Sequence, residues 1–301
     1  MRAERPSLTA RVIARGVAFV AEDSRLRGIL PPGAVELNSK LLLEAGVLKP
    51  WMVRLYRQAW YRRFFGWVVR NTATRQIMTL PVRKRFMDDE ARRAIDGGAR
   101  QLLVVGAGFD TLALRMAERF PHVQCFEIDR AATQLMKRAA LESMRIDRPN
   151  LYFLPLDLAD ASLPHALART PVWRRDAVSV VTAEGLLCYL EESEVIKLLD
   201  GVRSSTAPGS TLLLTHMRTD ERGAIVFGRH ARFMQAALEL VGEPVKWAIA
   251  PDALGGFLAA HGFILDRAPT PDELRERYLE PVGLGHEIVA HVELMAVAKV
   301  P

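Results

Sequence analysis

Cysteine is scarce: the 301 residues include two, Cys125 and Cys188. Neither sits at a metal-ligand spacing or in a disulfide framework, so no metal centre is expected and both thiols are read as reduced core residues. Long apolar runs are missing too. The longest uncharged stretch, residues 204–217, contains Pro208 and Gly209 and falls short of the roughly 20 apolar residues of a spanning helix. No transmembrane helix and no membrane partner are therefore expected. Near the start, Arg11 and Arg15 break what would otherwise be the apolar centre of a signal peptide, which predicts a cytoplasmic location. There is no repeat or low-complexity tract, and no Gly-Lys-Ser or Gly-Lys-Thr, which excludes a P-loop. Acidic residues are absent between Glu44 and Asp88, an interval that holds Arg54, Arg57, Arg62, Arg63, Arg70, Arg75, Arg83, Lys84 and Arg85. The net charge of +6 is thus concentrated in one place.

Half of the residues are hydrophobic, ample for one large domain or two small ones. Before about residue 99 the periodicity is helical. After it, short apolar runs at 101–105, 123–127, 151–155, 177–182 and 211–215 alternate with amphipathic helical segments, the pattern of parallel βαβ units. The runs at 263–267 and 288–298 follow one another with room only for a short helix at 271–278, which suits a final antiparallel strand. These features predict an α/β chain with a Rossmann-like, seven-stranded, mostly parallel sheet whose last strand is reversed, the class I methyltransferase arrangement. Residues 1–97 form an N-terminal helical region or lid, and 98–301 form the cofactor-binding domain, with a largely helical insertion at about 217–246.

The stretch "LLVVGAGFDTLALR" places Gly106 and Gly108 between a strand and a helix whose apolar positions are Leu112, Ala113, Met116 and Phe120, with Asp110 as its cap. A dinucleotide fingerprint needs a third glycine where Thr111 stands. S-adenosylmethionine has no pyrophosphate and needs small residues only where the backbone approaches it. A glycine turn with no ligand also remains open. Successive strand ends add carboxylates, on the edge where parallel sheets bind ligands. Asp129 in "CFEID" lies about 20 residues beyond the glycines, where it can accept from both ribose hydroxyls. Asp157 in "LPLDL" can accept from an adenine amino group while Leu158 packs on the ring, and Glu184 in "TAEGLLCYL" can meet the positive end of a methionine moiety. Each carboxylate, taken singly, also suits a helix start.

The segments "RKRFMDDEARRAI", "VVGAGFDTLALR", "FEIDRAATQLMKR", "PLDLAD", "AEGLLCYL" and "GEPVKWAIAPDALGGFLAAHGF" together resemble the leucine carboxyl methyltransferase family, including its bacterial small-molecule O-methyltransferase branch. The likeness runs over most of 81–263, and "SLTARVIARGVAF" is similar to the family's opening helix. It implies an S-adenosylmethionine-dependent O-methyltransferase. Arg83 would bind the cofactor carboxylate, with Arg85 as the alternative, because a guanidinium fork suits a carboxylate better than Lys84 does. Gly106 and Gly108 would form the turn, Asp129 would hold the ribose, Asp157 and Leu158 the adenine, and Glu184 the methionine amino group. Arg115 and Lys137 fall on family positions and are equally read as salt-bridge residues.

A sulfonium methyl is already activated, so the protein has to orient the acceptor and exclude water. A carboxylate acceptor needs no base, whereas a phenol or alcohol does. His216, after the fifth strand, is the candidate base or else a buried strand-end histidine. Tyr189 either orients an acceptor oxygen or packs in the core. The segment "WMVRLYRQAWYRRFFGWVVR" fits one helix with Met52, Leu55, Tyr56, Ala59, Trp60 and Trp67 toward one side. It is read as a lid or wall of the pocket whose arginines attract an acidic acceptor, with a solvated helix and a membrane-surface helix as the alternatives; the partner expected is a small-molecule acceptor, acidic or phenolic. Nucleic acid is not expected as a partner, since no Asn-Pro-Pro-Tyr or Asp-Pro-Pro-Tyr follows the fourth strand. Methylation of a protein C-terminal carboxylate and cofactor binding without catalysis are the alternatives.

Overall fold

The computed structural model describes residues 7–72, 78–158, 162–227, 235, 238, 239 and 242–301. The N-terminal part is helical: α1 (Leu8–Val20), α2 (Ser24–Arg27), α3 (Ala34–Glu44), α4 (Pro50–Tyr56), α5 (Ala59–Thr72) and α6 (Thr79–Asp96). Strands and helices then alternate through β1 (Gln101–Val105), α7 (Leu112–Arg119), β2 (Gln124–Asp129), α8 (Ala131–Ser143) and β3 (Leu151–Pro155). The series continues with α9 (Leu163–Ala168), β4 (Ser179–Ala183), α10 (Glu192–Ser205), β5 (Thr211–Met217), α11 (Leu254–Ala260), β6 (Ile264–Arg267), α12 (Pro271–Tyr278) and β7 (Glu293–Lys299).

The strands form one seven-stranded sheet in the order β3-β2-β1-β4-β5-β7-β6. The first five are parallel to their neighbours, and β7 runs antiparallel between β5 and β6. This is the class I methyltransferase arrangement, with the last strand reversed. Short starts are encoded locally: Thr270 and Glu273 form a capping box at α12, with Pro271 in its first turn.

Alternation along β1 sets the two sides of the core. Leu102 and Val104 pack with α6 and α7 through Val82, Phe86, Ala113 and Met116, and the N-terminal helices extend that layer. Leu103 and Val105 face the other way, against Leu198, Leu199 and Val202 of α10 and Leu254 and Leu258 of α11. Both faces of β1, β4 and β5 are buried, which is why these runs are continuously apolar. The chain reverses direction of winding between β1 and β4, so the carboxyl ends of β1, β2, β3 and β4 open onto a common crevice.

Two local expectations are corrected. The basic aromatic stretch is not one helix: it breaks at Arg57 and Gln58 between α4 and α5. The break shifts the phase, so Tyr61 and Phe65 pack with Phe19 and Tyr56, while Trp60 and Trp67 are left about 60% exposed (62% and 59%). The proposed helical insertion also begins differently. β5 runs on to Met217, and a tight turn with a Thr219–Ile225 bridge follows. Phe227 is buried there, whereas Phe233, Met234 and Leu240 lie outside the described residues.

Candidate functional site

A cavity of about 1400 Å³ opens at the carboxyl edge of β1 to β4. Gly106 and Gly108 line its floor with φ of +70° and +51°, in the left-handed region that side chains disfavour. Close approach adds to the requirement. A Cβ on Gly106 would stand 3.1 Å from Leu186 Cδ1, and one on Gly108 would stand 3.2 Å from Ala10 Cβ of α1. The amides of Gly106 and Ala107 both donate to the Ile128 carbonyl, at 2.8 and 3.0 Å, which fastens the turn to the end of β2.

Asp129 ends β2 and lines the cavity. Its Oδ2 accepts from the Gly108 amide at 2.6 Å and its Oδ1 from the Arg130 amide at 2.7 Å. A carboxylate has about four acceptor positions, so each oxygen keeps capacity for a hydroxyl donor, which fits a ribose diol. Burial pushes the Asp129 carboxyl above the usual range, against the opposing pull of those two amides. Asp157 and Leu158, after β3, line the same cavity, and Arg130 Nε lies 3.5 Å from Asp157.

Glu184 follows β4 and is the meeting point of two cations. Arg83 Nε donates to its Oε1 at 2.7 Å, and Lys84 Nζ lies 3.0 Å from the same oxygen. Arg83 is also paired with Glu293 at the start of β7, and Lys84 with Asp110. Burial disfavours the charge on both cations, but the facing carboxylates outweigh it: Glu293 and Glu184 raise Arg83, and Asp110 and Glu184 raise Lys84. Burial likewise opposes ionisation of Asp110, yet Lys84, with Arg115 and Lys137 behind it, holds that carboxyl well below the carboxylate range. The N-cap of α7 is Thr111 rather than Asp110; Asp110 Oδ1 accepts from the Leu112 amide at 2.8 Å, so the residue closes the turn that enters α7 and sits in the charge cluster.

Arg83, Gly106, Gly108, Asp129, Asp157, Leu158, Glu184 and Tyr189 are therefore brought to one cavity. Arg85 is not; it pairs with Asp89 along α6, at 2.9 Å. Tyr189 stands in a short 3-10 turn and has its phenol pushed far up by burial. His216 lies elsewhere: it pairs with Leu294 across β5 and β7, is buried, and does not line the cavity. Its Nδ1 is 3.3 Å from the Met217 carbonyl oxygen, and burial depresses the imidazole, keeping it neutral near pH 7. Arg115 and Lys137 make salt bridges, to Asp88 and Glu127 respectively.

The pocket wall comes from helices other than the basic aromatic pair. Ser7, Ala10, Arg11, Ala14 and Val17 of the α1 region and Ala34 and Asn38 of α3 line it, whereas no described residue of α4 or α5 does. The aromatic packing explains this, since Tyr56, Tyr61 and Phe65 dock on Phe19 near the far end of α1. Two further participants escape notice in the sequence. Glu293 depends on the reversed strand for its place beside Arg83. Glu243 Oε2 accepts from the Thr9 amide at 2.8 Å, bringing the 242–246 segment over α1. Among the described residues there is no His, Cys, Asp and Glu cluster suited to a metal ion, and no helix is long and apolar enough to cross a membrane.

The chain is similar to solved structures over nearly its whole length. A DUF574 family protein of Streptomyces avermitilis superposes with a TM-score of 0.59 at 12% identity, covering 87% of this chain and 96% of that one. A provisionally named methyltransferase of Thermobifida fusca gives 0.55 at 16% identity, covering 91% and 97%. These likenesses concern the fold alone. In sequence, a protein of Streptomyces avermitilis provisionally named as an S-adenosyl-L-methionine-dependent methyltransferase is 36% identical over 203 residues, which is 66% of this chain and 65% of that protein. The chain thus spans just under two thirds of that relative's length. The Leucine carboxyl methyltransferase family profile matches residues 39–203, taking in α6, the glycine turn and the ends of β2, β3 and β4, and the chain belongs to that family.

Proposed function

We propose that the chain is an S-adenosylmethionine-dependent O-methyltransferase acting on a small molecule. The observation that carries this reading is the convergence of Arg83, Asp129, Asp157 and Glu184 on one cavity, from α6 and from three successive strand ends. S-adenosylmethionine supplies a methyl group already activated by its sulfonium. Asp129 holds the ribose hydroxyls on the acceptor positions that the Gly108 and Arg130 amides leave open. Asp157 and Leu158 take the adenine, Glu184 takes the ammonium, and Arg83 orients the carboxylate. In the N-terminal helical region, residues 1–97, the α1 and α3 residues at the cavity serve as the lid, and 98–301 serve as the cofactor-binding domain.

The acceptor oxygen is proposed to be a carboxylate. With His216 buried away from the cavity and the Tyr189 phenol held protonated, the wall favours an acceptor that is ionised without help. Tyr189 then donates a hydrogen bond that positions it. Calorimetry with S-adenosylmethionine and with NAD tests the cofactor: the first is expected to bind and the second not. Asp129→Ala is expected to weaken the first at least tenfold, the scale of losing a charge-assisted hydrogen-bond pair. Release of S-adenosylhomocysteine over a panel of carboxylic acids and phenols tests the transfer. NAD binding alone, or turnover confined to phenols, would overturn the respective part.

A further inference from the structure

Cations around the cavity are answered by acids. Arg83 and Lys84 share Glu184 and have Glu293 and Asp110 as second partners. Arg115 has Asp88, Arg130 has Asp157, and Lys246 lies 3.1 Å from Glu191. Arg11 is the exception. It lines the cavity, yet among the described residues its side chain makes no ion pair and no hydrogen bond, and its Nε is shielded from solvent with no acceptor. Helix phase puts it there: Ser7, Ala10, Arg11 and Ala14 share the cavity face, whereas Arg15 turns away and its Nε donates to the Val47 carbonyl at 2.8 Å. On α3, which packs against α1, Asn38 lines the same cavity, is only 5% exposed, and has an Nδ2 that also lacks a partner. Buried donors are rarely left unmet in a folded protein unless a ligand meets them.

S-adenosylmethionine carries a single anionic group, and Arg83 is assigned to it. The cavity, about 1400 Å³, also exceeds the roughly 300–1,000 Å³ that a single drug-sized ligand occupies. A second, anionic molecule accounts for both the spare volume and the spare charge. We infer that Arg11, with Asn38, forms a binding subsite for a carboxylate of the methyl acceptor. The guanidinium presents a planar pair of donors to the two carboxylate oxygens, and the Asn38 amide supplies a further contact from the adjoining helix. This inference rests on the methyltransferase reading. It makes Arg11 a determinant of acceptor specificity, with no part in holding the cofactor.

The test uses the full chain saturated with S-adenosylhomocysteine and a probe set of benzoate, phenylacetate and octanoate, each compared with its primary amide by ligand-observed NMR titration. At least one acid is expected to bind about tenfold tighter than its amide, the scale of a charge-assisted pair. Arg11→Met, which keeps the length and apolar stem, is expected to abolish that preference, and Arg11→Lys to restore part of it. Affinity for S-adenosylhomocysteine is expected to stay within twofold in all three proteins. Equal binding of acid and amide by the wild-type protein, or an acid preference that survives Arg11→Met, would overturn the subsite. Loss of S-adenosylhomocysteine affinity in Arg11→Met would also overturn it, by giving Arg11 to the cofactor. Failure of the wild-type protein to bind S-adenosylhomocysteine is a different result: it removes the methyltransferase reading, and the acceptor subsite with it.

Discussion

The cofactor turn rests on a buried ion pair. Lys137 of α8 is fully enclosed, and its Nζ bonds both carboxylate oxygens of Glu127 at 2.8 and 2.6 Å and also the Asp110 carbonyl. One ammonium thus ties α8 to β2 and to the loop entering α7. Such a pair adds little net stability over apolar residues, but removing one partner leaves a stranded charge. Lys137→Met is therefore expected to cost about 3–5 kcal/mol in urea unfolding, and Lys137→Met with Glu127→Leu about half of that or less. The single variant should also acquire a pH dependence. Burial already pushes Glu127 up, with Lys137 opposing it, so without Lys137 the folded carboxyl titrates well above its unfolded value. The folded state then binds the extra proton, and stability is full below the unfolded value and falls as pH rises through the folded one. Greater loss at pH 8 than at pH 5 is the expected outcome. A double variant no more stable than the single would refute the stranded-charge account.

At the scale of elements, the glycine turn can be separated from ordinary turn strain. Gly106→Ala places a side chain at φ +70° and 3.1 Å from Leu186, whereas Gly209→Ala meets comparable strain at φ +84° with nothing within 4 Å. Both should lose about 1–2 kcal/mol of stability, the cost of a left-handed L-residue. Only Gly106→Ala should also weaken S-adenosylhomocysteine binding, because Leu186 lines the cavity and has to move. Equal binding by the two variants would remove the turn from the cofactor site. This turn was legible in the sequence because a strand, two glycines and a helix follow one another within 20 residues. Local pattern likewise located the sheet and the strand-end carboxylates, since buried strands are short apolar runs and their ends are fixed by the next helix. The break after Tyr56 was not legible, because a two-residue interruption leaves the helical composition unchanged while rotating Trp60 outward and Tyr61 inward. Glu293 was hidden for another reason: its contact with Arg83 spans 210 residues and exists only through the register of β7 on β5. His216 sits at the expected strand end, but β7 runs beside β5 there, with Leu294 opposite it, and the side chain is buried off the cavity.

For the molecule as a whole, the cavity is closed by pieces remote in sequence. The first half of α1 lies over the glycine turn, with Ala10 against Gly108, and Thr9 is held to Glu243 across 234 residues. The second half of α1 belongs to the main core through Val17, Ala18 and Val20. This division predicts a helix anchored at one end and able to open at the other, since exposed termini with few apolar contacts open at the lowest free energy. Amide exchange measured by mass spectrometry should then show residues 7–14 exchanging faster than 17–20 in the free protein. Binding of S-adenosylhomocysteine should slow exchange at 101–130, which contains its contacts, and also at 7–14, which has to settle over it. Glu243→Ala removes the acceptor of the Thr9 amide and should speed exchange at 7–14 without moving the urea midpoint by more than about 0.5 kcal/mol, the usual range for a surface change. Uniform exchange along α1, or protection on binding that never reaches it, would mean that the wall is a fixed part of the fold. In that case the acceptor has to enter past the 242–246 segment alone.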